Sequence, residues 1–200
     1  SRLLAWTNMP FLLLKDLPRY ECLLEVAKEF PELDPSACEA YLNLLRTGDE
    51  VIAVVEKFLS EHHISQGRFG VLMQLWRSSG SRIACEENAE SCPIGPRTPA
   101  ELAEATGVTR ATMTGLIDTL ERDGLVRRQP DPIDRRMMSV HLTNEGEAFI
   151  RQIVPGHFRL MATLMQPLSE DERKTMVGLL NKILRHASTC STTILEPVSS

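Results

Sequence analysis

Between Thr98 and Gly124 helix-start and helix-stop signals alternate, and they leave room for only one local arrangement: two short helices joined by a tight turn. Thr98-Pro99-Ala100-Glu101 is a capping box with proline at the first helical position, where its missing N–H costs nothing. The helix it opens is short, Pro99 to Ala105. Gly107 supplies the left-handed backbone that a helix C-terminus favours. Thr109 caps the next helix, along which Met113, Leu116, Ile117 and Leu120 recur at i, i+3, i+4 and i+7 as one apolar stripe. The opposite face carries Arg110, Thr112, Thr114, Gly115, Asp118 and Thr119, small or polar side chains of the kind that can approach base edges. Free backbone N–H groups near Thr109 also favour a phosphate. Taken alone, an ordinary amphipathic helix with a solvated face accounts for this pattern equally well.

The next twenty residues break the tie. Asp123-Gly124 ends the second helix. Leu125-Val126-Arg127-Arg128-Gln129 reads as a strand, and Met138-Ser139-Val140-His141-Leu142 alternates as its partner. The connecting PDPIDRR loop is too long for a tight hairpin turn. Arg127, Arg128, Arg135 and Arg136 outweigh Asp131 and Asp134 on a chain whose net charge is −5. A cationic hairpin on an acidic protein is a focused phosphate-binding site. Helix, turn, helix and basic hairpin in this order make a winged helix-turn-helix, which places its second helix in the DNA major groove.

The segment resembles the multiple-antibiotic-resistance regulator (MarR) family of bacterial transcription factors. The likeness rests on Leu102-Ala103, on Leu116-Ile117-Asp118-Thr119-Leu120-Glu121, on Gly124-Leu125-Val126, and on Asp134-Arg135-Arg136 followed by Val140-His141-Leu142-Thr143 and Gly146. It spans about Ser36 to Ala187. The resemblance implies that Arg136 enters the minor groove, where arginines read groove width, and that Asp134 holds it. Many members carry a basic residue where this chain has Gly115, so a base or phosphate contact of the family is missing here. The resemblance also implies a homodimer on a pseudo-palindromic operator, which is commonly repression. It places an effector pocket between the dimer helices and the DNA lobe. Candidate liners are Tyr41, Arg46, Arg68, Met73 and Trp76, an apolar wall meeting cations that suits a small aromatic or phenolic anion.

The flanking sequence fits that frame. Ser36-Ala37-Cys38-Glu39 reads as a capping box opening a long helix to about His62, and Ser65 caps another. After the hairpin, Thr143 caps a helix that Pro155-Gly156 should kink or interrupt. Ser169-Glu170-Asp171-Glu172 caps the last, with Met176, Leu179, Leu180, Ile183 and Leu184 as its stripe. The expected fold is mainly α: a winged helix-turn-helix (97–146) with a small β-hairpin wing, flanked by long N- and C-terminal dimerisation helices (35–77 and 143–188). Residues 1–34 form an extension with one helix around Tyr20, Leu23, Leu24, Ala27 and Phe30. Residues 78–96 form an insertion loop, and 189–200 a flexible tail.

Other chemistries find less support. The chain shows no Walker loop, dinucleotide fingerprint or local Ser-His-Asp signature, so no enzyme and no cofactor are expected. His62-His63 beside Glu61, and His157, lack a recognised metal spacing. No apolar run reaches the roughly 20 residues of a membrane span, and the first residues make a poor signal peptide. The expected setting is cytoplasmic, which disfavours structural disulfides. Two alternatives remain open. One is a thiol-sensing regulator, through Cys38 near a helix start or through Cys85 and Cys92, with six residues between them in the insertion loop. The other is a winged-helix protein-interaction module without DNA binding.

Overall fold

A computed structural model describes residues 16–78, 97–130 and 137–194. The helices are α1 (Tyr20–Glu29), α2 (Pro35–Glu61), α3 (Gln66–Ser78), α4 (Pro99–Thr106), α5 (Arg110–Arg122), α6 (Asn144–Met165) and α7 (Glu170–Ile194). Strands β1 (Val126–Pro130) and β2 (Met138–Leu142) pair antiparallel, with Val126 opposite Leu142 and Arg128 opposite Val140. The wing and the helix-turn-helix are therefore present, and the fold is mainly α. The chain divides into two compact units, Ser1–His157 and Phe158–Ser200.

In the first unit the core forms around α5. Met113, Ile117 and Leu120 have no exposed surface, and Leu116 packs against them half-buried. They share one buried cluster with Phe69, Val71, Leu72 and Leu75 of α3, Leu102 and Ala103 of α4, Val126 and Val140 of the wing, and Ile150 and Ile153 of α6. Among the described residues before α2 there is one helix, α1. α1 packs on α2 and buries Leu23, whereas Tyr20, Leu24 and Phe30 stay exposed.

Three local expectations change. The cap of α2 is Asp34, not Ser36: its carboxylate accepts the Ser36 and Ala37 N–H groups, and Pro35 takes the first helical position. Those bonds, with the Ser36 hydroxyl, hold the Asp34 carboxyl below its ordinary value. Helix α6 runs unbroken through Pro155, at the expense of the hydrogen bond proline cannot donate. Helix α7 continues to Ile194 where a tail from 189 was expected. Its Ser188 and Thr189 hydroxyls donate back to the Leu184 and His186 carbonyls, so their polar groups are satisfied within the helix.

The second unit presents a different surface. Val177, Leu179, Leu180, Ile183 and Leu184 of α7 are exposed, as are Phe158 and Met161 at the end of α6. No helix among the described residues is long and apolar enough to cross a membrane.

The junction between wing and α6 is tight. Thr143 donates its hydroxyl to the Gly124 carbonyl and its N–H to the Leu125 carbonyl. A Cβ at Gly146 would lie 2.0 Å from that same Leu125 oxygen. Gly146→Ala should therefore destabilise the protein by about 1–3 kcal/mol, because backbone must move. Gly48→Ala, in open space within α2, should stabilise it by about 0.5–1 kcal/mol. Urea denaturation measures both.

His157 on α6 stacks against Phe58 of α2 and Phe69 of α3, with ring centroids 6.2 and 5.0 Å away. Burial lowers its pKa from the ordinary 6.5. The unfolded chain then takes up this proton first as pH falls. The stability linked to His157 is complete above pH 6.5 and is lost as pH drops from there to the lowered folded value. His157→Phe should flatten the fall in urea midpoint between pH 7.5 and 5.5.

Candidate nucleic-acid interface

Caps position the helix-turn-helix. Thr98 Oγ1 accepts the Glu101 N–H, and Glu101 Oε2 accepts the Thr98 N–H at 2.8 Å, so the capping box is complete. Gly107 turns the chain with φ of 67°. Thr109 Oγ1 then accepts the Thr112 N–H at 3.1 Å and starts α5. Because Met113, Ile117 and Leu120 point into the core, Thr109, Arg110, Thr112, Thr114, Gly115 and Asp118 are left exposed on one side, with Thr119 half-buried. The Thr112 hydroxyl lies 2.8 Å from that of Thr109, and the Thr114 hydroxyl donates to the Arg110 carbonyl at 2.9 Å. The opening amides of α5 present partial positive charge to the same side.

The wing stands beside this face. Val126 and Val140 anchor it in the core, and the Arg97 carbonyl accepts the Val140 N–H at 2.8 Å on its far edge. Strand alternation turns Arg127 to solvent, and no carboxylate pairs with it or with Arg110 among the described residues. Arg128 faces the other way. It pairs with Asp118 and Glu121 of α5, each at 2.5 Å. Asp134, Arg135 and Arg136 at the wing tip, and Cys85 and Cys92 of the insertion loop, lie outside the described residues.

The residues named as effector-pocket liners lie in different settings. Tyr41 is exposed on α2, and Arg46 pairs with Glu50 one turn along at 2.5 Å. Trp76 is buried in the core and Met73 packs half-buried against it. Arg68 pairs with Asp123, the cap at the end of α5. This link between α3 and α5 was not legible in sequence, since nothing in either segment marks the other. Cys38 is a half-buried free thiol in the first turn of α2. Among the described residues no three His, Cys, Asp or Glu side chains gather to hold a metal.

Several known proteins resemble this chain. Residues 64–138 match the sequence profile of the MarR family. The chain is 33% identical over 175 residues to the HTH-type transcriptional repressor YetL of Bacillus subtilis (strain 168), covering 88% of this chain and 96% of that one. It is 28% identical to the HTH-type transcriptional regulator PecS of Dickeya dadantii, over 79% and 87% of the two chains. Among solved structures, a mutant MarR of Escherichia coli complexed with operator DNA superposes with a TM-score of 0.59 at 24% identity, covering 79% of this chain and 96% of that one. Bordetella bronchiseptica BpsR, described with regulation of its DNA binding by 6-hydroxynicotinic acid, gives 0.56 at 24% identity over 72% and 98%. At such identities these structures speak to the fold alone.

An exposed polar helix face, a cationic wing and a buried stripe holding both in place define a winged helix-turn-helix regulator of transcription that binds DNA. The chain belongs to the MarR family.

The Arg68–Asp123 link generates a test of its own. The Arg68 side chain is only 20% exposed, and its Nε is buried without a partner among the described residues. Asp123→Asn strands this charge and should cost about 1–2 kcal/mol. Arg68→Met removes the charge, keeps the apolar stem and should cost less. Urea midpoints of the two variants check the order.

Proposed function

We propose that the protein is a homodimeric repressor, cytoplasmic and without catalytic activity, that occupies a pseudo-palindromic operator and leaves it when a small aromatic or phenolic effector binds. The observation that carries the dimer is α7, whose apolar stripe from Val177 to Leu184 stays exposed in the single chain. A second copy would cover it and set two recognition helices about one DNA turn apart. Thr109, Arg110, Thr112, Thr114 and Gly115 of α5 form the groove-facing surface, and Arg127 reaches a phosphate from the wing. Asp134, Arg135 and Arg136 complete the contact at its tip, with Arg136 in the minor groove.

Repression is supported by the repressor name of the Bacillus relative. Effector control is supported by the ligand regulation described for BpsR. The effector acts only to the extent that it binds one lobe arrangement better than the other.

Protection mapping of the neighbouring promoter is the deciding experiment. A two-fold-related footprint is expected, with a dimer in sedimentation at micromolar concentration. Arg136→Ala should weaken operator binding by about 1–3 kcal/mol without unfolding the protein. Unchanged affinity would remove Arg136 from the interface, and protein that leaves the promoter unprotected would point to an interaction module.

A further inference from the structure

The arginine pair on β1 divides its labour. Arg127 and Arg128 are adjacent in a basic run, and charge alone makes both phosphate ligands. The geometry separates them. Arg128 Nη1 donates to Glu121 Oε2 and Nη2 to Asp118 Oδ1, both at 2.5 Å, while its main-chain N–H donates to Glu121 Oε1 at 2.9 Å. Three bonds therefore tie one strand residue to two carboxylates placed i and i+3 on one face of α5. Its side chain is 24% exposed.

We propose that Arg128 contacts no DNA and is a positioning residue: it clamps the wing to the recognition helix and so fixes the angle at which the two enter their grooves. This rests on the reading of α5 and the wing as the DNA-contacting elements.

The wing needs such a clamp. A two-stranded ribbon of five-residue strands is marginal alone. Val126 and Val140 hold its base and the Arg97 carbonyl its far edge, which leaves its tilt toward α5 to Arg128. The planar guanidinium suits the task because it spans two carboxylates at once, which an ammonium cannot match. Partial burial alone would lower its pKa, but the hydrogen bonds and charges of Asp118 and Glu121 outweigh that and raise it. The same pairing neutralises two carboxylates that would otherwise repel phosphate.

The test uses duplex DNA selected by the wild-type protein from a random-sequence pool. Binding is titrated at several salt concentrations for wild type, Arg128→Gln, Arg128→Lys and the double variant Asp118→Asn/Glu121→Gln, with thermal unfolding followed alongside. A clamp predicts that all three variants bind about tenfold more weakly. The double variant should do so although it has lost two negative charges beside the DNA, and the salt slope should stay that of wild type. A phosphate contact predicts the opposite: Arg128→Lys near wild type, the double variant equal or tighter, and a slope reduced by about one in Arg128→Gln. Any of these three results overturns the proposal, as does an affinity loss that only tracks loss of folded protein. If the wild type selects no sequence, the DNA reading fails by itself. Amide exchange then decides on the clamp: the Arg128 N–H should exchange faster in Asp118→Asn/Glu121→Gln, and an unchanged rate overturns it.

Discussion

The burial of one helix face governs this fold. Met113, Ile117 and Leu120 of α5 lie wholly inside, and elements from α3 to α6 contribute to their cover. A helix of 13 residues is marginal in water on its own, so α5 exists because its neighbours bury that stripe. The orientation of the other face is thereby settled without any contribution from a ligand. Gly67 allows the close approach: a Cβ there would meet the Leu116 side chain at 3.2 Å. The position of Arg110 and the threonines is thus a consequence of packing.

Charge then trims what packing leaves loose. The C-terminal half of α5 carries Asp118 and Glu121, both engaged by Arg128 of β1, and its cap Asp123 is engaged by Arg68 of α3. Such pairs are worth little when fully solvated, but these guanidinium groups are mostly shielded and bridge different elements. Their effect is on geometry more than on total stability. The Thr143 bonds to Gly124 and Leu125 do the same for the start of α6.

The features legible in the sequence are those set by short-range forces. Caps at Thr98 and Thr109, the turn at Gly107 and the stripe on α5 are local, and each appears where the residues place it. The start of α2 was misread by two residues because Asp34 and Ser36 are both good caps, and Pro35 at the first helical position decides between them. The end of α7 is not legible in sequence because a run of serine and threonine has the composition of a loop, although here it continues the helix. The carboxylate partners of Arg128 are not legible in sequence because they lie seven and ten residues away, across a turn. The surroundings of Arg68 and Trp76 were illegible for the same reason: they are set by tertiary packing.

The threonine hydroxyls of α5 carry one more consequence. Thr114 has already given its single hydrogen to the Arg110 carbonyl. Outward it therefore offers lone pairs and a methyl group. A side chain in that state speaks to a base pair in one direction only. Under the proposed docking of α5 in the major groove it would receive the amino hydrogen of adenine or cytosine, or rest against the methyl of thymine, but would not donate to the O6 of guanine without breaking its own helix bond. On that docking, the vocabulary of this one position is narrowed before any DNA arrives, by a hydrogen bond that serves the backbone.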